Sequence, residues 1–351
     1  MTEPVVDVHA HALLPEIEAA VAALDPEGHT AARELDARRN GAPSAAESGR
    51  MIRERWPLLT GLPARLAAMD VAGIDAQLVS PSPSHYYPFL APGAALEIAR
   101  RVNAEIADLV AQAPDRLLGL GVAPLQHPDR MVAALEDALE RGLRGVEIGS
   151  FGAAPGSGQA GTVELSDLRL DPFWAAAEQT GAVVFLHPFG CSLDERLDRF
   201  YLANTVAQPA ENAVALSHLI FGGVLDRFPG LTVLAAHGGG YLPTAIGRSD
   251  HAWRVRPEAH GCRRPPSAYL RRIWFDSLTH DVGQLRELIR VAGARRVLLG
   301  SDFPFDMGAD DPVGAVRRAG LGADAVRRIL GGNAAELRLL PVHREAGRTL
   351  R

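Results

Sequence analysis

A (β/α)8 TIM barrel of the α/β class is the architecture this sequence predicts, and three observations predict it. Eight short apolar runs recur along the chain, each followed by a segment with helical spacing. The runs are nearly continuous in Val, Ile, Leu and Ala, as strands buried on both faces must be. Several close on an ionisable residue, and barrels carry their working polar groups at the C-terminal ends of the strands. Eight such alternations favour a closed barrel over a doubly wound sheet.

The runs are Val5–His9, Ala76–Ser80, Leu117–Ala123, Gly145–Ile148, Val183–His187, Thr232–His237, Ile273–Ser277 and Val297–Asp302. Helices are predicted over Leu96–Ala113, Arg130–Arg141, Pro172–Thr180 and Val282–Ala292, where apolar residues recur every three or four positions and Gly or Pro marks several ends. Two segments break the rhythm. Ala22–Leu62, rich in Ala, Arg, Glu and Gly, reads as a partly helical insertion over the barrel mouth, within one domain spanning residues 1–351. Gly149–Asp167, carrying Gly152, Gly156, Gly158 and Gly161, reads as a flexible loop after the fourth strand. Beyond Pro341, Arg344, Arg348 and Arg351 suggest a solvated tail.

The 351 residues are 47% hydrophobic and 22% charged, with a formal net charge of -6. That composition suits a large buried core and points away from nucleic acid and from anionic membrane surfaces. Cys191 and Cys262 have no C-x-x-C partner and read as reduced thiols. With no leader-like segment and no apolar stretch long enough for a bilayer, a cytoplasmic protein is expected.

Chemistry concentrates at the strand ends. Asp7-Val8-His9-Ala10-His11 closes the first run, and strict alternation would put Asp7, His9 and His11 on one side, opposite Val6, Val8 and Ala10. The fifth run ends in His187-Pro188, the sixth in His237-Gly238-Gly239-Gly240, and the eighth in Gly300-Ser301-Asp302. His9, His11 and His187 offer neutral imidazoles and Asp302 an anionic oxygen, a set that can hold one divalent ion and leave a position open. A metal held so lowers the pKa of its water from about 15.7 towards roughly 7. His237 is the candidate general acid/base beside it, with Asp302 as a second proton-handling group, and the glycines after His237 would let substrate and backbone approach closely. Asp7 either orients a ligand histidine or bonds the neighbouring backbone.

These motifs, in order, resemble the amidohydrolase superfamily, and within it the α-amino-β-carboxymuconate-ε-semialdehyde decarboxylase group. Gly145-Val146-Glu147-Ile148-Gly149, the run from Phe221 to Pro229, and Phe275-Asp276-Ser277-Leu278-Thr279-His280-Asp281 extend the resemblance over nearly the whole chain, most weakly between Ala22 and Ala64. The resemblance implies a zinc site of His9, His11, His187 and Asp302, with manganese or iron as alternatives, and His237 next to the metal water. It implies a homodimer, in which Arg248 reaches the neighbouring subunit's site and Arg256 lies at the interface. It also implies a substrate-binding arginine from the insertion, Arg50, with Arg53 as the alternative. Such arginines suit an acidic protein that binds a small carboxylic acid, because guanidinium forks pair bidentately with carboxylates.

Phe189 and Gly190 stand where the decarboxylase that names the group has Trp and Asp, and Ser301 and Phe303 stand where it has Thr and Tyr. Phe189 and Phe303 are therefore candidate substrate-contacting walls of an altered pocket, together with Tyr86, Tyr87, Phe89 and Phe151. The expected reaction is nonoxidative, metal-dependent decarboxylation of an aromatic or conjugated carboxylic acid. The alternative is hydrolysis of a lactone, ester or amide, or hydration of an unsaturated acid, on the same shell.

Overall fold

The computed structural model describes residues 4–153 and 161–341. Its strands are β1 (Val6–Ala12), β2 (Ala76–Pro81), β3 (Leu117–Gly119), β4 (Gly121–Val122), β5 (Gly145–Ile148), β6 (Val183–Leu186), β7 (Thr232–Ala235), β8 (Trp274–Asp276) and β9 (Val297–Leu298). All eight predicted runs are strands. The third is split at Leu120, whose N–H reaches back to the Val79 carbonyl at 2.9 Å. Every pairing is parallel, in the order β1-β2-β3 and β4 through β9. The seam between β9 and β1 closes through Val8 N–H to Leu299 O at 2.9 Å, Asp302 N–H to His9 O at 2.8 Å, and a parallel bridge between Ala10 and Phe303. A parallel sheet closed on itself is the expected barrel.

Inside the barrel, Val6, Val8, Ala76, Leu78, Leu118, Val183, Phe185, Leu234, Trp274 and Leu298 form one apolar layer, with Ala334 and Leu339 packed against it. The outward residues, among them Val79, Val146, Val184 and Val233, meet the helices. This two-sided burial is why the strands read as unbroken apolar runs.

Four helices follow β1: α1 (Pro15–Leu24), α2 (Pro26–Asn40), α3 (Ala42–Thr60) and α4 (Leu62–Ala72). The predicted insertion is therefore almost wholly helical rather than partly so. Its helicity is hard to read because α2 buries none of its residues and so shows no apolar stripe. Arginines fasten it to the strand-end loops. Arg39 donates to the Cys191 carbonyl at 3.0 Å, and Arg55 to the Pro304 and Phe305 carbonyls at 2.8 and 3.0 Å.

The other helices follow the barrel rhythm: α5 (Pro92–Ala111), α6 (Pro128–Glu140), α7 (Asp171–Thr180), α8 (Gln208–Phe221), α9 (Val224–Arg227), α10 (Leu242–Val255), α11 (Val282–Ala292), α12 (Pro312–Arg318), α13 (Ala323–Arg327) and α14 (Asn333–Glu336). In α5, Ala95, Ile98, Ala99, Val102 and Ile106 supply the buried stripe. The Asp281 carboxylate caps α11 by accepting the Gln284 N–H at 2.8 Å. Within the predicted loop after β5, Gly152 pairs with Val163, whereas Gly156, Gly158 and the tail arginines lie outside the described residues. No described helix is long and apolar enough to cross a membrane.

The alternation predicted for β1 fails at one point, and the failure shapes the site. A register shift between Asp7 and Ala10 sets three residues of β1 against two of β2. Val6 and Val8 face the interior layer, yet the His9 ring also meets Phe185 of that layer, with centroids 5.0 Å apart. The extra residue turns His9 and His11 inward without exposing the apolar part of the strand. Asp7 is left in the wall.

Candidate metal centre

His9, His11, His187 and Asp302 are all buried, and one ligand atom from each lies within 4.8 Å of every other. Four residues spread over almost the whole chain thus meet at the C-terminal mouth of the barrel. His9 Nε2 and His11 Nε2 are 3.1 Å apart, and the Asp302 Oδ1 oxygen is 3.5 and 3.2 Å from them. The His187 ring stands edge-on to both, at centroid distances of 5.1 and 5.0 Å.

The opposite edges of the rings explain why these nitrogens converge. His9 Nδ1 lies 2.6 Å from Asp276 Oδ2, His11 Nδ1 lies 3.2 Å from the Pro81 carbonyl and 3.0 Å from Ser80 Oγ, and His187 Nδ1 lies 3.0 Å from the Pro188 carbonyl. A ring that donates through Nδ1 keeps its lone pair on Nε2. Three such rings point three lone pairs at one place. Among the described residues His187 Nε2 is buried without a hydrogen-bond partner, a costly arrangement unless a cation takes that lone pair. The donor set therefore fits a divalent metal ion, which His9, His11, His187 and Asp302 would hold.

Electrostatics agree. Burial disfavours positive charge at His9, but the Asp302 and Asp276 carboxylates outweigh it, so the site favours a cation at this point, and a divalent ion would take the place of the proton on Nε2. Burial likewise pushes Asp302 up, and His9 with the surrounding histidine hydrogen bonds more than reverses it, holding the carboxyl well below its usual range. Burial, reinforced by neighbouring histidines, keeps His187 far below the ordinary imidazole value and neutral. The cluster is built to hold positive charge among anionic oxygens, as a cation requires.

His237 stands beside this group. Its ring centroid is 4.9 Å from His187 and 5.2 Å from His9, and its Nε2 is 3.8 Å from Asp302 Oδ2. Its side chain is 18% exposed, against 0% for His9 and His11, so it is the histidine with access to solvent. Its backbone φ of 53° is left-handed, a strain of about 1–3 kcal/mol for a residue with a Cβ. The following glycines allow the close backbone approach expected of them. A Cβ on Gly240 would meet the Pro209 carbonyl of α8 at 2.1 Å, and one on Gly239 would meet Phe275 at 2.6 Å.

The wall residues differ in their surroundings. Asp7 touches no ligand ring: it accepts the His9 and Ser301 N–H groups, the Ser301 hydroxyl and the Gln77 amide. Of its two predicted roles, the structure has the backbone-bonding one. Phe303 lies under the buried Arg65 guanidinium, 5.1 Å away, and Phe305 is the ring that meets His11, at 5.6 Å. Phe189 packs edge-on to Tyr86, whose hydroxyl donates to the buried Glu147 at 2.5 Å and lies 3.2 Å from the His187 carbonyl. Tyr87 and Phe89 pack on one another, and the Tyr87 hydroxyl donates to Glu18, which makes that pair structural.

Among the arginines, Arg50 is not brought to the cluster. Its side chain is 54% exposed and is clasped by Glu47 and Glu54 on the same helix. Arg53 is exposed on that helix too. Arg248 and Arg256 are exposed on α10 and at its end, with no side-chain partner among the described residues.

Asp276 also bears on the cluster, although the motif reading gave it no role. It is fully buried at the end of β8 and contacts both a ligand ring and the His237 turn. The sequence did contain it, inside Phe275-Asp276-Ser277, but a single aspartate closing a strand carries no spacing that marks its role.

The sequence matches the amidohydrolase family over residues 6–337. It is 34% identical over 276 residues to the 2-amino-3-carboxymuconate-6-semialdehyde decarboxylase of Dictyostelium discoideum, covering 78% of this chain and 75% of that one. It is 30% identical over 252 residues to the gamma-resorcylate decarboxylase of Rhodococcus jostii (strain RHA1), covering 69% and 77%. The crystal structure of 2,6-dihydroxybenzoate decarboxylase complexed with 2,6-dihydroxybenzoate superposes with a TM-score of 0.77 at 25% identity, covering 97% of this chain and all of that one.

Proposed function

This chain belongs to the amidohydrolase family, and from that premise we propose that it is a metal-dependent carboxy-lyase that decarboxylates an aromatic or conjugated carboxylic acid without an oxidant. The observation that carries the reading is the convergence of three Nδ1-anchored imidazoles and Asp302 beside a fourth, solvent-reachable histidine. The relatives named above are decarboxylases of small conjugated acids, which supports the same substrate class here.

Three imidazoles and a carboxylate favour zinc among divalent ions, with manganese and iron as the competitors. Bound there, the ion supplies a Lewis-acid centre that anchors and polarises the substrate's oxygen donors. The protein does the rest. Phe305 and the Tyr86–Phe189 pair present flat apolar surface near the cluster, suited to a planar acid. His237 holds the proton at Nε2 and delivers it to the carbon that loses carboxylate. The C–C bond breaks, its electron pair stays on that carbon, the proton fills the position, and carbon dioxide leaves. His237 then recovers a proton from water, to which it alone of the four histidines has ready access.

Arg248 is exposed on the helix that follows His237 and has no side-chain partner among the described residues, which supports its placement in a neighbouring subunit's site, with Arg256 at the same interface of a homodimer. Free Cys191 and Cys262 suit a reducing, cytoplasmic setting.

The direct test is carbon dioxide release from purified, metal-loaded protein given hydroxybenzoates and muconate-type acids. Release without oxygen or organic cofactor is expected for at least one acid, and none across the panel removes the reading. Mixing Arg248→Ala with His237→Ala protein tests the shared site: hybrid dimers should regain part of the activity that each variant lacks. No recovery despite demonstrated subunit exchange returns Arg248 to its own subunit.

A further inference from the structure

We infer that Asp276 is a positioning residue that sets the metal-facing nitrogen of His9 and the backbone of His237 with one carboxylate. The inference rests on the metal-site reading above. Asp276 Oδ2 receives the Nδ1–H of His9 at 2.6 Å and the backbone N–H of His237 at 2.8 Å. Oδ1 receives the backbone N–H groups of Gly238 at 2.7 Å and Leu278 at 3.1 Å. The whole group is buried, and these four donors are the hydrogen-bond partners of its carboxylate among the described residues.

Each bond does something specific. An acceptor at Nδ1 makes His9 a donor on that edge and keeps the Nε2 lone pair free toward the cluster. The acceptor at the His237 and Gly238 N–H groups stabilises two successive left-handed residues, with φ of 53° and 59°. That turn is what swings the His237 side chain off the β7 line and over the metal ligands. Charge-assisted bonds are the stronger kind, which suits a group that must hold a strained turn in place. A ligand and the proton-transferring histidine are therefore referenced to one rigid point at the end of β8, so neither can drift without the other.

A merely structural carboxylate would serve the turn alone, and Asp276→Asn separates the two cases. The amide is isosteric but has one acceptor and one donor. Placing its oxygen toward Gly238 and Leu278 keeps two backbone bonds, and the NH2 group then faces His9 Nδ1 and the His237 N–H. His9 can meet that donor only by accepting at Nδ1 and carrying its proton on Nε2, which closes the metal-facing lone pair. The opposite orientation opposes two backbone donors instead of one and is the poorer choice.

Two readouts on the metal-depleted variant test this: titration with Zn2+ alone, and hydrogen exchange at the His237 and Gly238 amides. We expect a 10- to 100-fold loss of Zn2+ affinity, together with at least tenfold faster exchange at that turn. Wild-type affinity, or wild-type protection of the turn, overturns the coupling. Should the variant fail to fold, the zinc-loaded wild-type protein carries the test. A downfield, exchange-protected ring proton is expected on His9 Nδ1 in its magnetic resonance spectrum, and its absence overturns the inference. Wild-type protein that takes up no Zn2+ at one per chain defeats the metal-site reading instead, so the two failures are told apart.

Discussion

His187→Ala is expected to leave a folded protein that no longer retains its metal. The Nε2 atom of His187 is buried and has no hydrogen-bond partner among the described residues, so its removal deletes a cation ligand and takes away no hydrogen bond seen on that edge. On the other edge the hydrogen bond with the adjacent Pro188 carbonyl is lost, along with ring packing on His9, His11, Phe185 and His237. Losing a mere supporting contact to a ligand typically costs 10- to 100-fold in metal affinity, and losing the ligand itself should exceed about 100-fold by the same reasoning. Thermal melts give a clean reading. Ligand at 1,000 times its dissociation constant stabilises a protein by about 4.1 kcal/mol, so added Zn2+ should raise the wild-type Tm by several degrees and the variant's hardly at all. Elemental analysis after dialysis should find near one metal per chain in the wild type and a small fraction of that in the variant. Equal metal content in both proteins would remove His187 from the shell.

The reason so much of this site is legible in the amino-acid sequence is that barrel strands advertise their ends. Val183-Val184-Phe185-Leu186 is apolar because both faces are buried, and His187 stands out because it is an ionisable residue directly after that apolar run. The same contrast marks His237 after β7 and Asp302 after β9. What resisted reading is set by backbone geometry rather than composition. Strict alternation mis-sorted Asp7 because a bulge inserts a residue between it and Ala10. Phe303 and Phe305 are two residues apart in one motif, yet the turn sends the first under Arg65 and the second to His11.

The insertion resisted for another reason. Its helices are held by arginines bonding to carbonyls of the strand-end loops, as Arg39 does at Cys191 and Arg55 at Pro304 and Phe305. Such contacts leave no periodic apolar trace. The same arrangement explains why choosing among arginines by motif position is unsafe in this segment. Arg50 is spent on Glu47 and Glu54, while its neighbour Arg55, with no matching motif, grips the loop that carries Asp302.

His237→Ala should do the reverse of His187→Ala: keep the metal and lose turnover. His237 contributes no atom to the four-ligand cluster, and its Nε2 lies 3.8 Å from Asp302 on the solvent-reachable side. Removing the proton donor costs the share of rate that a positioned acid supplies, typically 10²- to 10⁴-fold, equivalent to about 2.7–5.4 kcal/mol of barrier. The loss should fall on kcat, with KM for the acid little changed, because His237 acts on the carbon that loses carboxylate rather than on the groups that anchor the substrate. Added imidazole should restore part of the rate, since the vacated space opens to water and admits a free base. Backbone strain offers a second check. A glycine tolerates the left-handed φ of 53° that histidine bears here, so His237→Gly should be at least as stable as His237→Ala while equally inactive. Metal lost to the same extent in the His237 and His187 variants would mean that ligand and proton donor had been exchanged, and the cation would then have to sit toward β7 rather than over the paired histidines of β1.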